Sequence, residues 1–330
     1  MPTQFHTSRV HRGCKGFSLV EMMVALVITL ILLSGIAQIF LSSKKSFTIQ
    51  NSLGRMQENG RYAMEILTQD LRRAGYWGGN SDILEIGGTQ AQFTETGNCT
   101  DNTWARMLSH RIFGKDDSRA SYGCLPADTV HTGDVLVVRF AAPWTVGGTT
   151  TPSLQDSHFY LRSSLFEGRL FLGSEEPDNP LDAPAVRTAE LVSRAYFIHD
   201  SPQTSQCPDD GAVPSLYRIG LVNGGLVPEE VAYGIDNLQV QYGLDTIDPG
   251  TDKPDNSVSI WVDAAEPTHP MWDQVIAARI WVLVRAECPE TGYTNDNTYD
   301  MGNASYKPVD TANRGYRRQL FTSTVRLRNN

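Results

Sequence analysis

Hydrophobic residues are concentrated in one long run near the start of the chain. No charged side chain occurs from Met22 to Ser43, and most residues of 17–41 are Leu, Ile, Val, Met, Phe or Ala. A helix of about 20 residues crosses the hydrocarbon core of a bilayer, so the run is long enough to span a membrane. The pattern therefore predicts a transmembrane helix over residues 17–43.

Residues 44–78 follow a different pattern. Apolar residues recur there at spacings of three and four, the period of an amphipathic helix with one apolar stripe. The stripe consists of Leu53, Met56, Gly60, Ala63, Met64, Leu67 and Leu71. Charged residues, including Asp70, are assigned to the other faces. We expect a helix that continues the anchor, ends near Gly75 and packs its stripe into the core.

Beyond residue 78, short strand patterns alternate with polar loops that are rich in Gly and Pro. The strand candidates are residues 134–140, 159–161, 169–172, 216–222, 226–227, 280–284 and 321–327. In residues 238–242 apolar side chains alternate with Gln239 and Gln241, which predicts a half-buried strand. The sequence predicts an α+β fold, in which the long helix packs on an antiparallel β-sheet head over residues 79–330.

The charge balance argues against nucleic acid as a partner. The 330-residue chain has a net charge of −9. Residues 1–16 hold three basic residues and no acid, so removing them takes the net charge from −9 to −12. Broad binding to a phosphate backbone needs an excess of Lys and Arg. No nucleic-acid partner is expected.

Five cysteines occur, and none forms a C-x-x-C pair. Cys14 lies in the basic N-terminal segment, and the remaining four could form two disulfides in an oxidising compartment. Four cysteines allow three pairings, and sequence alone does not decide among them. We select Cys99–Cys124, because both lie in one loop-rich segment. We pair Cys207 with Cys288, which would tie a loop to the end of the 280–284 strand.

Glu21 interrupts the apolar run and needs an explanation. An ionisable residue inside a membrane costs about 2.5–3.5 kcal/mol on insertion scales. Neither an ordinary signal peptide, whose apolar core is shorter, nor a plain membrane anchor accounts for it. A cut between Gly16 and Phe17 would give Phe17 a free amino group one helical turn from Glu21. That amine could partner the carboxylate within one subunit or across to a neighbour.

The six residues Gly-Phe-Ser-Leu-Val-Glu at 16–21, after a basic segment, closely resemble the class III leader junction of type IV pilins and pseudopilins. The resemblance implies that residues 1–16 are a leader. It further implies that a prepilin peptidase cuts after Gly16 and that Phe17 becomes N-methylated. Glu21 stands at the family's assembly position. Any such subunit is held first in the inner membrane.

Two segments after the membrane-spanning run make the resemblance more specific. Residues 55–63, which include Gln-Glu-Asn-Gly-Arg, and residues 70–78 resemble the corresponding region of PilW-type minor pilins. This implies a pilin-like minor subunit that initiates or caps a type IV pilus, with a periplasmic head that later reaches the cell surface. Its partners would be other minor pilins and the major pilin. The alternatives are a J-type pseudopilin of a type II secretion system and a pilus-borne adhesin or binding module.

No motif of an enzyme is present. The sequence lacks a P-loop, an H-E-x-x-H motif and a G-x-S-x-G motif. Two acidic loops do not match the EF-hand spacing that calcium binding would require. Their acidic residues are Asp245, Asp248, Asp252 and Asp255 in one loop, and Asp296 and Asp300 in the other. We expect no catalytic residue, no cofactor and no metal.

The leader junction yields the first prediction. Mass spectrometry of the protein purified from membranes should show a mature chain that begins with N-methylated Phe17, because the peptidase recognises the Gly–Phe junction. Cells without prepilin peptidase provide the control and should retain the uncut chain. An intact Met1 terminus in wild-type cells, or a cut after residue 43, would contradict the prediction.

Overall fold

The computed structural model describes residues 16–80, 82–88, 99, 102–117, 123–125, 133–146, 153–177, 186–203, 207, 212–222, 224–246, 254–264 and 269–329. By its internal contacts the chain divides into two compact units, Met1–Asn51 and Ser52–Asn330. The first unit is an anchor and the second is a head. Helix α1, Leu19–Arg73, runs through both units.

The head is built mainly from strands. Two one-turn helices, α2 (Asn102–Ala105) and α3 (Thr311–Arg314), accompany them. The strands of the described residues are β1 Ile86–Gly87, β2 Ile112–Lys115, β3 Val135–Ala141, β4 Phe159–Ser163, β5 Gly168–Leu172, β6 Arg187–Asp200, β7 Pro214–Val222, β8 Gly225–Tyr233, β9 Ile235–Leu244, β10 Ile260–Asp263, β11 Val275–Arg285, β12 Tyr299–Met301, β13 Ala304–Tyr306 and β14 Arg318–Arg326.

Within the described residues these strands form two main sheets, where the sequence had led us to expect one. Strands β1 to β8 make an eight-stranded sheet around β6, which pairs with β3, β4 and β7. Strands β10, β9, β11 and β14 make a four-stranded antiparallel sheet in that order. The predicted antiparallel pairing prevails in both sheets, and one short pair departs from it, because β1 pairs parallel to β5.

All the strand candidates are confirmed as strands, but the alternation in β9 was misread. Gln239 was expected on a solvated face, and only 1% of it is exposed. Gln239 pairs with Trp281 on the outer face of the four-stranded sheet. The β12–β13 hairpin packs Met301 against that tryptophan, which covers the face. The buried Gln239 amide donates to Asn237 Oδ1 at 3.1 Å and to Asp117 Oδ1 at 3.3 Å.

The apolar stripe of α1 packs into the head as predicted. Met56, Ala63, Leu67 and Leu71 are each no more than 2% exposed, and they share one core cluster with residues of both sheets. Gly60 completes the stripe, because a Cβ atom at this position would overlap the ring of Phe321 on β14. Glycine at this point therefore lets β14 approach the helix closely.

Helix α1 ends close to the stop that the sequence predicts near Gly75. Its last residue is Arg73, and Gly75 adopts a left-handed φ of 77° that stops the helix. The side-chain amide of Asn329 donates to the carbonyl oxygens of Arg73 and Ala74, each at 3.3 Å. A residue near the far end of the sequence thus caps the helix.

Asp70 is the main departure from the predicted helix faces. The sequence pattern assigned it to a solvated face, but it is 2% exposed and lies beside the apolar stripe. Arg194 Nη1 donates to both of its carboxylate oxygens, at 2.9 and 2.8 Å. The Tyr196 hydroxyl donates to Asp70 Oδ2 at 2.6 Å. Burial, and next the Asp70 carboxylate, raise the pKa of Tyr196, so the phenol remains a donor at neutral pH.

We expect Asp70→Asn to lower the free energy of unfolding by about 3 kcal/mol, because it leaves the Arg194 guanidinium without its counter-charge. Tyr196→Phe should cost about 1.5 kcal/mol, the contribution of one hydrogen bond to a charged group. Urea unfolding of the full chain in detergent measures both. Glu65→Gln, an equal charge change on the exposed face of α1, serves as the control and should stay within about 0.5 kcal/mol. If Asp70→Asn and Glu65→Gln lowered the free energy of unfolding equally, the stabilising role of the Asp70–Arg194 ion pair would be refuted.

Candidate assembly site

The predicted processing junction lies at the start of α1. Residues Gly16 to Ser18 are not helical, and all three are exposed. The helix begins at Leu19, so Ser18 is its N-cap and Glu21 is the third helical residue. The Ser18 N–H donates to Glu21 Oε2 at 3.4 Å. This is the backbone half of a capping box, whose sequence signature S-x-x-E is present at 18–21 but was not used in the prediction.

The apolar part of α1 is suited to a lipid environment. Among the described residues, α1 is the one helix long and apolar enough to cross a membrane. Two of its hydroxyl groups bond within the helix: Thr29 Oγ1 donates to Ala25 O at 2.7 Å, and Ser34 Oγ donates to Ile31 O at 2.8 Å. These polar groups therefore place no unsatisfied donor in the bilayer. Glu21 remains the one charged residue of 17–43.

In the head unit, the face of α1 opposite the stripe is exposed. A shallow groove of about 400 Å³ lies along it, and its walls include Gln57, Glu58, Arg61 and Tyr62. Its floor lies at Gly54, where a Cβ atom would meet nothing within 4 Å. Tyr62 is 51% exposed. The groove combines an aromatic ring, both signs of charge and a notch without a side chain.

Polar contacts hold this part of α1 against the head, so the groove is presented on a fixed helix. Asn59 Nδ2 donates to the carbonyl oxygen of Tyr233 at 2.8 Å. Arg55 Nη1 lies 3.4 Å from Glu287 Oε2. These contacts lie beside Met56 and Gly60, in the first turns of the buried stripe. They add side-chain contacts near the start of the part of α1 that belongs to the head unit, three to four turns before Asp70.

The structure joins the four head cysteines in the pairs selected from the sequence. Cys99 bonds to Cys124, with Cα atoms 5.0 Å apart, and Cys207 bonds to Cys288, with Cα atoms 5.6 Å apart. On a chain-entropy model a loop of the first size contributes about 3.5 kcal/mol, and one of the second size about 4.5 kcal/mol. Cys14 lies outside the described residues.

The acidic loops have internal partners. Asp245 accepts hydrogen bonds from the backbone N–H groups of Asp255 and Asn256, at 3.3 and 2.9 Å. Asp296 pairs with Arg314. Asp300 accepts a hydrogen bond from Ser305 at 2.5 Å. Asp248 and Asp252 lie outside the described residues. Among the described residues, no group of three His, Cys, Asp or Glu side chains could hold a metal ion.

The predicted site residues thus form two separate groups. Gly16, Phe17 and Glu21 lie within about one helical turn of each other at the start of α1, while the cysteines lie in the head. Sequence reasoning missed Ser18 as the helix cap and Asp70 as the buried charge. The first has a sequence signature, as noted above. The second has none, because its partners are more than 120 residues away in sequence.

Two family models and one solved structure are similar to parts of the chain. Residues 11–37 match the family model of the prokaryotic N-terminal methylation motif, and residues 195–329 match that of Type IV Pilus-assembly protein W. No curated protein sequence matches the chain. Among solved structures, a type IV-like pilin from Thermus thermophilus is similar, with 13% identity and a TM-score of 0.34. The alignment covers 83% of this chain and 97% of that one.

A methylation motif on an apolar helix, followed by an α+β head, defines the chain as a subunit of the type IV pilin class. The second family match is more specific, since it covers β7 to β14 and the last six residues of β6. Together the two family matches support a PilW-type minor pilin that takes part in type IV pilus assembly. Proteins of this family are structural components of the pilus.

Proposed function

We propose that this minor pilin acts at the start or tip of a type IV pilus. The observation that carries the proposal is the size of its head, which has fourteen strands in the described residues. A head of this size is difficult to repeat along a thin fibre, whereas an end position accommodates it. The PilW match favours a pilus over the type II secretion system considered above.

The proposed maturation follows from the junction and the anchor. Prepilin peptidase cuts between Gly16 and Phe17 and methylates Phe17, and residues 17–43 hold the chain in the inner membrane. The head then lies in the periplasm until the subunit enters the pilus. Two disulfides in the head suit that oxidising compartment. Three basic residues before the anchor favour a cytoplasmic N-terminus, although Lys44 and Lys45 follow the anchor.

Glu21 has the proposed assembly role. A carboxylate can accept about four hydrogen bonds, and the Ser18 N–H supplies one. In the bilayer the remaining capacity favours a cationic partner, and the Phe17 amine of a neighbouring subunit is one that water does not compete for. Such a contact sets the longitudinal register between two anchors.

The partners proposed are other minor pilins and the major pilin. Their contact would be made along α1, through the groove at Gly54 and Tyr62, because this face is exposed while the stripe is occupied by the head. The mixed charges of Glu58 and Arg61 give the groove polar specificity in addition to shape.

We predict that Glu21→Ala leaves processing and membrane insertion intact but reduces recovery of the subunit in sheared pili at least about tenfold. The change removes a charge that costs about 2.5–3.5 kcal/mol in the bilayer, so insertion alone should improve. Glu21→Gln, which keeps the shape, should resemble Glu21→Ala if charge is what matters. Immunoblots of membrane and pilus fractions measure both quantities. If Glu21→Ala were recovered in pili at the wild-type level, the proposed role of Glu21 in assembly would be refuted.

Photocrosslinking tests the assembly function in living cells. A photoreactive amino acid at Tyr62 should crosslink the full chain to other pilins, because Tyr62 borders the groove. The same probe at Val309, which is 78% exposed, is the matched control for surface exposure. If Tyr62 yields no pilin adduct, and deleting the gene leaves pilus number unchanged, the assembly role fails and the adhesin hypothesis becomes the better one.

A further inference from the structure

The head contains a cavity that the assembly proposal does not use. Its volume is about 310 Å³, and it lies where the end of α1, the segment before β2 and the segment after β14 meet. Tyr76, Ile83 and Leu108 form its apolar wall, while its polar lining is rich in hydrogen-bond donors. It is therefore large enough for a small organic group with one polar end.

Asn80 provides the strongest indication of a ligand. It is 4% exposed, and its Oδ1 accepts a hydrogen bond from the Asp82 N–H at 2.8 Å. This bond fixes the orientation of the amide, since Nδ2 could not accept it. Within the described part of the chain, the buried Nδ2 has no acceptor. A buried donor without a partner costs about 1–3 kcal/mol, which a bound acceptor would recover.

Further donors line the same cavity. Ser109 Oγ and Arg111 Nε are buried atoms without a hydrogen-bond partner among the described residues. The Arg111 guanidinium is held in place, because its Nη2 donates to the carbonyl oxygens of Asp273 and Val275 at 3.1 and 2.9 Å. Burial lowers the pKa of Arg111 and the Asp273 carboxylate opposes that shift, but a guanidinium stays charged in proteins. Arg328 lies at the exposed edge of the lining.

The charges of the lining select the type of ligand. Arg111 and Arg328 are positive, and Asp273 is negative, so the cavity carries about one net positive charge. A carboxylate matches that charge and accepts several donors at once. A doubly charged phosphate would be only half neutralised and would be repelled by Asp273. A neutral sugar brings as many donors as acceptors and would leave the donors of the lining unsatisfied.

We propose that this cavity binds the carboxylate of an acidic protein segment, with an adjoining apolar side chain against Tyr76 and Leu108. The acidic balance of the chain makes this donor-rich cavity a local exception. An acidic partner would be attracted to the cavity and repelled by most of the remaining surface. The proposal does not depend on the groove along α1 or on Glu21.

The test uses the full chain in detergent and a diazirine derivative of benzoate as photolabel, with its carboxamide as the neutral control. Mass spectrometry should locate saturable labelling by the carboxylate in peptides that contain Tyr76–Asn80 or Leu108–Arg111. Acetate should compete for the site, and acetamide should not. Equal labelling by the carboxamide, or no saturable labelling in these peptides, would overturn the proposal. Stronger competition by inorganic phosphate than by acetate would also overturn it.

Two conservative variants sharpen the test. Asn80→Asp keeps the acceptor for the Asp82 N–H but turns a donor into a negative charge, so labelling should fall at least about tenfold. Arg328→Gln removes one positive charge at the edge of the cavity. Labelling by the carboxylate should then fall about fivefold. Arg326→Gln is the matched control, since Arg326 is also exposed but does not line the cavity. An equal loss with Arg326→Gln would indicate a general charge effect and refute the site.

Discussion

The attachment of the last turns of α1 to the head is the constraint on which the rest of the structure depends. An apolar stripe alone supplies buried area, but apolar contacts tolerate repacking. The Asp70 carboxylate admits one arrangement, because it must meet Arg194 and Tyr196 together. Both partners lie two residues apart on β6 and so point to the same face of the sheet. The helix is thereby joined to β6, the strand that pairs with three others.

The sequence predicted this architecture well where a pattern repeats locally. The three-and-four spacing from Leu53 to Leu71 identified the buried face of the helix, and runs of β-branched residues located the strands. Prediction failed where a distant element changes the environment of a residue. Asp70 carries a charged side chain, so the helical periodicity placed it on a solvent-exposed face. In the structure its partners come from β6. Gln239 failed in the same way, because the short β12–β13 hairpin covers a face that alternation marks as exposed. The order of strands between two sheets is likewise absent from any local pattern.

In the candidate sites, the sequence identified the residues that lie in one contiguous motif and missed those that folding brings together. Gly16, Phe17 and Glu21 could be named because their spacing is a contiguous motif, which the methylation-motif match covers. The cavity beside Asn80 could not, because four separate segments of the chain form it. Its key property, a buried amide whose orientation is fixed by Asp82, exists only after folding. The disulfide pairs lie between these cases: the cysteines were evident, but their pairing was a choice among three.

The anchor and the head present one physical problem with two solutions. In each, a carboxylate leaves water: Asp70 in the folded head, and Glu21 in the proposed membrane span. Asp70 is neutralised within the chain, by a guanidinium that folding brings to it. Folding provides Glu21 with one weak backbone donor at 3.4 Å, and residues 17–43 contain no basic residue that could do more. The cost of the second carboxylate must therefore be met by another group in the membrane. In our proposal the Phe17 amine is such a group, either that of the same subunit after cleavage or that of a neighbour. On this proposal the unmet charge of the anchor favours association with neighbouring subunits, in addition to the contacts proposed at the groove along α1.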